Sequence, residues 1–173
     1  MLKLSIPEPS LVLLMGAAGS GKSSFAKKHF KPTEILSSDF CRSLVSDDES
    51  NQAATKDAFE VLRFIAAKRL GAGRLTVIDA TNVQHETRGF SLELARQFQT
   101  SAVAIALDLP QEVCMRQNQN RRERCVLPEI IEEQLRQLRN SLPCLADEGF
   151  AHVYVLNSLA EVECAMIERY STR

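Results

Sequence analysis

Residues Gly16-Ala17-Ala18-Gly19-Ser20-Gly21-Lys22-Ser23 spell GxxxxGKS. Glycines at this spacing let the backbone curl with its N–H groups pointing inward. A helix that starts at the end of the run adds its own unbonded N–H groups and the positive end of its dipole. Such a concavity cradles the oxygens of a triphosphate. Lys22 then neutralises charge on the β- and γ-phosphates, and the Ser23 hydroxyl is a ligand for a Mg²⁺ ion that bridges them. A glycine-rich strand-to-helix turn without a ligand is the plain alternative. Against it, the motif begins where an apolar run, Leu11–Met15, ends, and Lys27, Lys28 and His29 sit where cations suit the C-terminus of the helix that follows.

Three further groups could act on a bound triphosphate. In Ser37-Ser38-Asp39-Phe40-Cys41-Arg42 a carboxylate can take the proton of an attacking hydroxyl, and an arginine three residues on can hold an anionic acceptor. An aspartate capping a short helix, with its arginine in solvent, is the competing reading. Val77-Ile78-Asp79-Ala80-Thr81-Asn82 has apolar residues followed by an acid, so Asp79 can orient Mg²⁺ through water or brace Ser23, unless it is a cap or turn residue; Thr81 and Asn82 also suit capping. Arg116, Arg121, Arg122 and Arg124 fall within nine residues just before a helical pattern. They read either as a solvated basic face or as an arginine lid over a transition state whose charge spreads over three equatorial oxygens.

These groups need strand ends to carry them. Leu11–Met15, Glu34–Leu36, Leu75–Ile78, Ala102–Leu107 and Val153–Leu156 are short apolar runs, each read as a strand buried on both faces. Ala54, Ala58, Val61, Leu62 and Ile65 make one face of a helix ending near Gly71. Pro128 opens a second helix, with Ile131, Leu135, Leu138 and Leu142 on one side and an end at Pro143. Leu159–Tyr170 reads as a last amphipathic stretch, and the acidic run Ser46–Ser50 as a solvated loop. Strands alternating with helices give right-handed crossovers and a parallel sheet. The expected fold class is therefore α/β: a P-loop, kinase-like three-layer sandwich with about five parallel strands and an arginine-bearing lid. In such a sheet the carboxyl ends of the strands face the ligand crevice, which brings Asp39 and Asp79 toward the phosphates.

The chain's 173 residues fit one domain, and 21 Lys plus Arg against 22 Asp plus Glu make it no polycation, so any nucleic-acid contact has to come from a local basic groove. Five scattered cysteines without a CxxC pair suggest reduced thiols and a cytoplasmic protein. No run approaches the roughly 20 apolar residues of a membrane span, so no membrane partner is expected.

Taken together, the sequence resembles the polynucleotide 5′-kinase family, in particular the N-terminal kinase modules of bacterial RNA-repair proteins of the Pnkp type. The resemblance spans nearly the whole chain. It rests on Gly16–Ser24 (including Ser24), His29–Arg42, Val45–Ser50, Leu75–Gln84, the lid residues Asn118, Arg121 and Arg124, and Gly149–Ser158. It implies ATP as phosphate donor with Mg²⁺ (or Mn²⁺), and a 5′-OH polynucleotide as acceptor, RNA favoured and DNA possible. Asp39 would be the general base, Arg42 the grip on acceptor strand or transferring phosphate, and Arg121 and Arg124 the clamp on donor phosphates. It further implies that residues 1–173 are one kinase module excised from a larger protein with phosphatase and ligase-like domains. The chain departs from the family lid at Gln117, where an arginine is usual, with Arg116 one residue earlier. A P-loop kinase for a small metabolite or nucleoside shares the GKS and DATN features, and a slow nucleotide-dependent switch is a further alternative. If the lid arginines act on developing charge, Arg121→Ala and Arg124→Ala each slow single-turnover transfer more than they raise nucleotide Kd; a loss confined to Kd would leave them simple phosphate binders.

Overall fold

The computed structural model describes residues 2–120 and 125–172. Strand β1 (Leu2–Glu8) leads directly into β2 (Ser10–Met15), followed by α1 (Lys22–His29), β3 (Ile35–Ser37), α2 (Ser38–Ser46) and α3 (Thr55–Gly71). Then come β4 (Thr76–Asp79), α4 (His85–Gln97), β5 (Ser101–Leu107), α5 (Gln111–Gln119), α6 (Pro128–Ser141) and α7 (Leu145–Glu148). The chain closes with β6 (His152–Leu156), α8 (Leu159–Cys164) and β7 (Ala165–Ser171).

Five strands form one parallel sheet in the order β3-β4-β2-β5-β6, so β2, which feeds the glycine-rich loop, is central. All six of its residues are buried, as a strand covered on both faces requires. Successive side chains point to opposite faces. Leu11, Leu13 and Met15 pack on one side with Ala58, Leu62, Ala66 and Leu70 of α3 and with Leu92 of α4. Val12 and Leu14 pack on the other side with Phe25 and Ala26 of α1. The buried positions of α3 recur every four residues, and the expected Val61 and Ile65 flank that stripe half-buried. In α6, Pro128 occupies the first turn, and Ile131, Leu135 and Leu138 are buried as the helical spacing predicts. Leu142 lies in a 3-10 turn with Pro143, where the helix stops.

The stretch expected to be a single amphipathic segment, Leu159–Tyr170, is instead α8 followed by β7. The latter pairs in parallel with β1 to make a separate two-stranded sheet. Leu4, Ile6, Ala165 and Ile167 of this sheet join the α1 side of the core. Arg169 holds both carboxylate oxygens of Glu34, at 2.9 and 2.8 Å. Among the described residues no helix is long and apolar enough to cross a membrane, and the five cysteines form no disulfide.

Beneath the carboxyl ends of the strands lies a buried ion pair. Arg88 is 1% exposed, and its Nε and Nη2 reach the two carboxylate oxygens of Glu148 at 2.8 and 2.5 Å. Its Nη1 donates to the carbonyls of Asn82 and Val83 at 3.1 and 2.9 Å, so one guanidinium ties α4 and α7 to the turn after β4. Burial alone would raise the Glu148 pKa; hydrogen bonds and charge from Arg88 and His85 outweigh it and hold the carboxyl below its ordinary range. The stability linked to Glu148 is therefore present above the ordinary carboxylate range and is lost as pH falls through its lowered folded-state value. Arg88→Met, which leaves buried Glu148 with only the exposed His85 as a side-chain partner, is expected to cost up to about 3–5 kcal/mol in chemical denaturation, with Arg88→Met/Glu148→Met recovering part of it.

Candidate functional site

The phosphate loop is built by close approach. Gly16 N–H donates to the Thr81 carbonyl at 3.0 Å, which fixes the start of the loop to the residues that follow β4. Gly19 adopts φ +80, and a Cβ there would stand 2.1 Å from the Cys114 carbonyl oxygen of α5, so only glycine lets the loop lie flat on that helix. Gly21, at φ 90, is the N-cap of α1 and makes no side-chain cap, which leaves the first N–H groups of that helix without a capping side chain. Lys22 folds back over the loop, its ammonium donating to the carbonyls of Gly16 and Ala17 at 2.8 Å each and to Ser20 Oγ at 3.4 Å. The ammonium is thereby held against the loop itself.

A cavity of about 730 Å³ opens above the loop, and Ala18, Lys22, Ser23, Asp39, Arg42 and Asp79 all line it. Ala18, Lys22 and Ser23 of the loop thus meet Asp39, Arg42 and Asp79 around one space, and Gly16, Ala17, Gly19, Ser20 and Gly21 are not part of its lining. Ser24, next along α1, is exposed and does not line it.

Asp39 lies in the first turn of α2, but it is not the cap. Ser37 takes that role, its Oγ accepting from Phe40 N–H at 3.3 Å. Asp39 Oδ1 instead accepts from Arg42 Nη1 at 2.7 Å, and the same nitrogen donates to the Glu49 carbonyl at 2.8 Å. Arg42 is buried rather than solvated, and its Nε is enclosed without an acceptor. The acidic run therefore does more than face water: the Glu49 carbonyl helps to aim Arg42, and Ser50 lines the cavity.

Asp79 ends β4 and is buried on the cavity wall. Neither it nor Thr81 nor Asn82 caps α4, whose N-cap is Gln84. Asn82, at φ 49, donates from Nδ2 to the Leu14 carbonyl at 2.7 Å, tying the end of β4 back to the strand that carries the loop. Among the described residues no group of three or more His, Cys, Asp or Glu side chains gathers as a metal cage. Mg²⁺ needs none: it takes phosphate and water ligands with one or two protein oxygens, which the Ser23 hydroxyl with a nearby Asp79 carboxylate fits.

Arg121 and Arg124, which the sequence offers as lid arginines, lie outside the described residues. Asn118 reaches Val126, its Nδ2 donating to the Val126 carbonyl at 2.8 Å and its Oδ1 accepting from Val126 N–H at 3.0 Å. Gln117 faces the loop, its Oε1 lying 3.7 Å from where a Cβ on Gly21 would be, whereas Arg116 is exposed. Arg116 and Gln117 thus occupy different faces of α5, as expected when one residue turns a helical side chain by about 100°.

A family model described as an AAA domain, AAA_33, matches residues 11–145. The chain belongs to that family. With its parallel sheet and phosphate loop it is a P-loop kinase-like domain. No curated protein matches it. Among solved structures it is similar to a chain of the Pnkp1/Rnl/Hen1 RNA repair complex, with TM-score 0.68 and 20% identity, covering 79% of this chain but only 46% of that one. It is also similar to an AvrRxo1-ORF1:-ORF2 complex with ATP, with TM-score 0.64, 13% identity and coverage of 87% and 55%. A gluconokinase from Sinorhizobium meliloti 1021 follows with TM-score 0.54, 14% identity and coverage of 91% and 87%. At these identities the likeness is one of fold.

Residues that sequence reasoning missed also line the cavity, notably Phe59 on α3, Thr87 on α4 and Gln134 on α6. Only the helical spacing of these residues was visible, and spacing does not reveal which end of a helix meets the loop. Lys22→Ala is expected to abolish nearly all phosphate transfer, and Ser23→Ala to raise the Mg²⁺ concentration needed for half-maximal rate; near-parental turnover by Lys22→Ala would overturn the phosphate-loop assignment.

Proposed function

We propose that the chain is an ATP-dependent polynucleotide 5′-hydroxyl kinase, moving the γ-phosphoryl of ATP to the 5′-OH end of RNA or DNA in nucleic-acid end repair. The observation that carries this reading is the Asp39–Arg42 pair, at 2.7 Å, on the wall of the same cavity as Lys22 and Ser23. A carboxylate beside the phosphate loop serves a reaction that must remove a proton from an acceptor hydroxyl. In this reading Asp39 accepts that proton, and Arg42, paired with Asp39 on the same cavity wall, steadies an acceptor oxygen through its guanidinium charge. Lys22 and the loop N–H groups hold the donor phosphates, and bound Mg²⁺ supplies charge neutralisation between the β- and γ-phosphates. The family resemblance in Gly16–Ser24, His29–Arg42 and Leu75–Gln84 supports the choice of acceptor, as does the similarity in fold to the RNA repair complex. Because the chain spans less than half of that relative, companion phosphatase and ligase-like domains, like cytoplasmic residence, are part of the proposal.

One observation favours a smaller acceptor. Among the described residues that line the cavity, Lys22 and Arg42 are the only cations, and amide and hydroxyl groups such as Gln52, Thr55, Gln84 and Thr87 make up much of the remaining wall. A neutral polyhydroxy metabolite would suit them, and a polynucleotide must find its phosphate contacts outside the cavity.

The test is transfer of labelled γ-phosphate, with Mg²⁺, to 5′-OH RNA, 5′-OH DNA, nucleosides and sugars. Transfer to the oligonucleotides is expected; transfer to a sugar or free nucleoside alone would replace this reading with the smaller-acceptor one. Asp39→Asn keeps the size and one acceptor oxygen, and is expected to cut single-turnover transfer by about 10²–10⁴-fold while ATP still binds. Parental rates would remove Asp39 as the base. Loss of ATP affinity in step with transfer would make the residue structural.

A further inference from the structure

Helix α6 touches the phosphate loop through a side chain that no motif marks. Gln134 Oε1 accepts a hydrogen bond from Ala18 N–H at 2.8 Å, and both residues line the cavity with Lys22 and Asp39. This bond fixes the sense of the amide. A backbone N–H can only donate, so the atom facing Ala18 is the oxygen, and the two hydrogens on Nε2 remain for another partner. Among the described residues Nε2 has no acceptor, and it is not sealed away from the cavity. The backbone beneath it is firmly seated: Ile131, Leu135 and Leu138, three positions before, one after and four after Gln134, are all buried in the core.

We propose that Gln134 is a catalytic residue whose Nε2 donates to an equatorial oxygen of the γ-phosphoryl during transfer, while its Oε1 stays anchored on Ala18. The proposal rests on the reading of this cavity as a γ-phosphoryl transfer site. In that step the bond from Pγ to the β,γ-bridging oxygen breaks, with its electron pair leaving on ADP. A bond from the acceptor oxygen to Pγ forms, and the acceptor proton goes to the Asp39 carboxylate. Gln134 gains and loses no atoms. It contributes a neutral, pre-oriented donor where negative charge spreads over three oxygens, and such donors act most strongly when they need no reorganisation. The Ala18 bond supplies that pre-orientation and couples it to the loop itself.

The decisive variant is Gln134→Glu. A carboxylate of the same length still accepts from Ala18 N–H but offers no donor, whereas Gln134→Ala loses both functions. Calorimetry on the intact chain compares binding of ADP with Mg²⁺ against ADP with Mg²⁺ and aluminium fluoride, whose complex mimics the transferring phosphoryl. Both variants are expected to bind ADP within about threefold of the parent yet to bind the fluoride complex about 10–100-fold more weakly, Gln134→Glu at least as weakly as Gln134→Ala. Parental affinity of Gln134→Glu for the fluoride complex would overturn the proposal and leave Gln134 as a tether between α6 and the loop. Failure of the parent chain to bind ADP would overturn the phosphate-site reading itself, and the role of Gln134 with it.

Discussion

The hydrogen bond from Gly16 N–H to the Thr81 carbonyl is the joint on which the site depends, because it fastens the phosphate loop of β2 to the end of the neighbouring strand β4. Asn82 reinforces it from the other direction by donating to Leu14. With these two bonds made, Ser23 and Asp79 must face the same space. The turn that provides them is itself held from below by Arg88, whose guanidinium satisfies the Asn82 and Val83 carbonyls and is neutralised by Glu148. A buried ion pair of this kind adds little net stability. Its value here is positional, since it determines where two backbone carbonyls of the site's floor can be.

The loop is also held from its far side. Gly19 lies against the Cys114 carbonyl, so α5 and the loop cannot separate or approach without consequence for each other. One turn later in α5, Asn118 makes a two-way clip to Val126, just before α6. Across the cavity α6 returns to the loop through Gln134. Helices α5 and α6 thus both touch the phosphate loop directly.

Most of the sheet was legible because its signals are local. Five apolar runs in register with helical spacing give five strands, and the GKS motif needs only its immediate neighbours to be understood. The same holds for Asp39 and Arg42, three apart on one helix. What escaped depends on distant partners. The β1–β7 pairing joins Leu4 to Ile167, and the alternation in Ala165–Ser171 is too brief to distinguish from the end of an amphipathic helix. Thr81 and Asn82 looked like caps because their types suit caps; Asn82 was taken instead by the carbonyl of Leu14, a competitor 68 residues away. Gln134 carried no signal at all, since a glutamine on the flank of an amphipathic helix is an ordinary surface residue until the loop arrives beside it.

Charge is distributed to match. The chain has a formal net charge of -1, so it exerts no long-range attraction on an anionic ligand. At the cavity, Lys22 and Arg42 face Asp39 and Asp79, which makes the described wall nearly neutral as well. Attraction for phosphate must therefore come at short range, from N–H groups of the loop and the N-terminus of α1 together with Lys22. Such groups are effective only where water is excluded and their directions are already set. Gly19 against α5, Gly16 on Thr81 and Ala18 on Gln134 set those directions before any ligand enters. Discrimination in this site accordingly resides in the geometry of the backbone rather than in a field that draws anions from a distance.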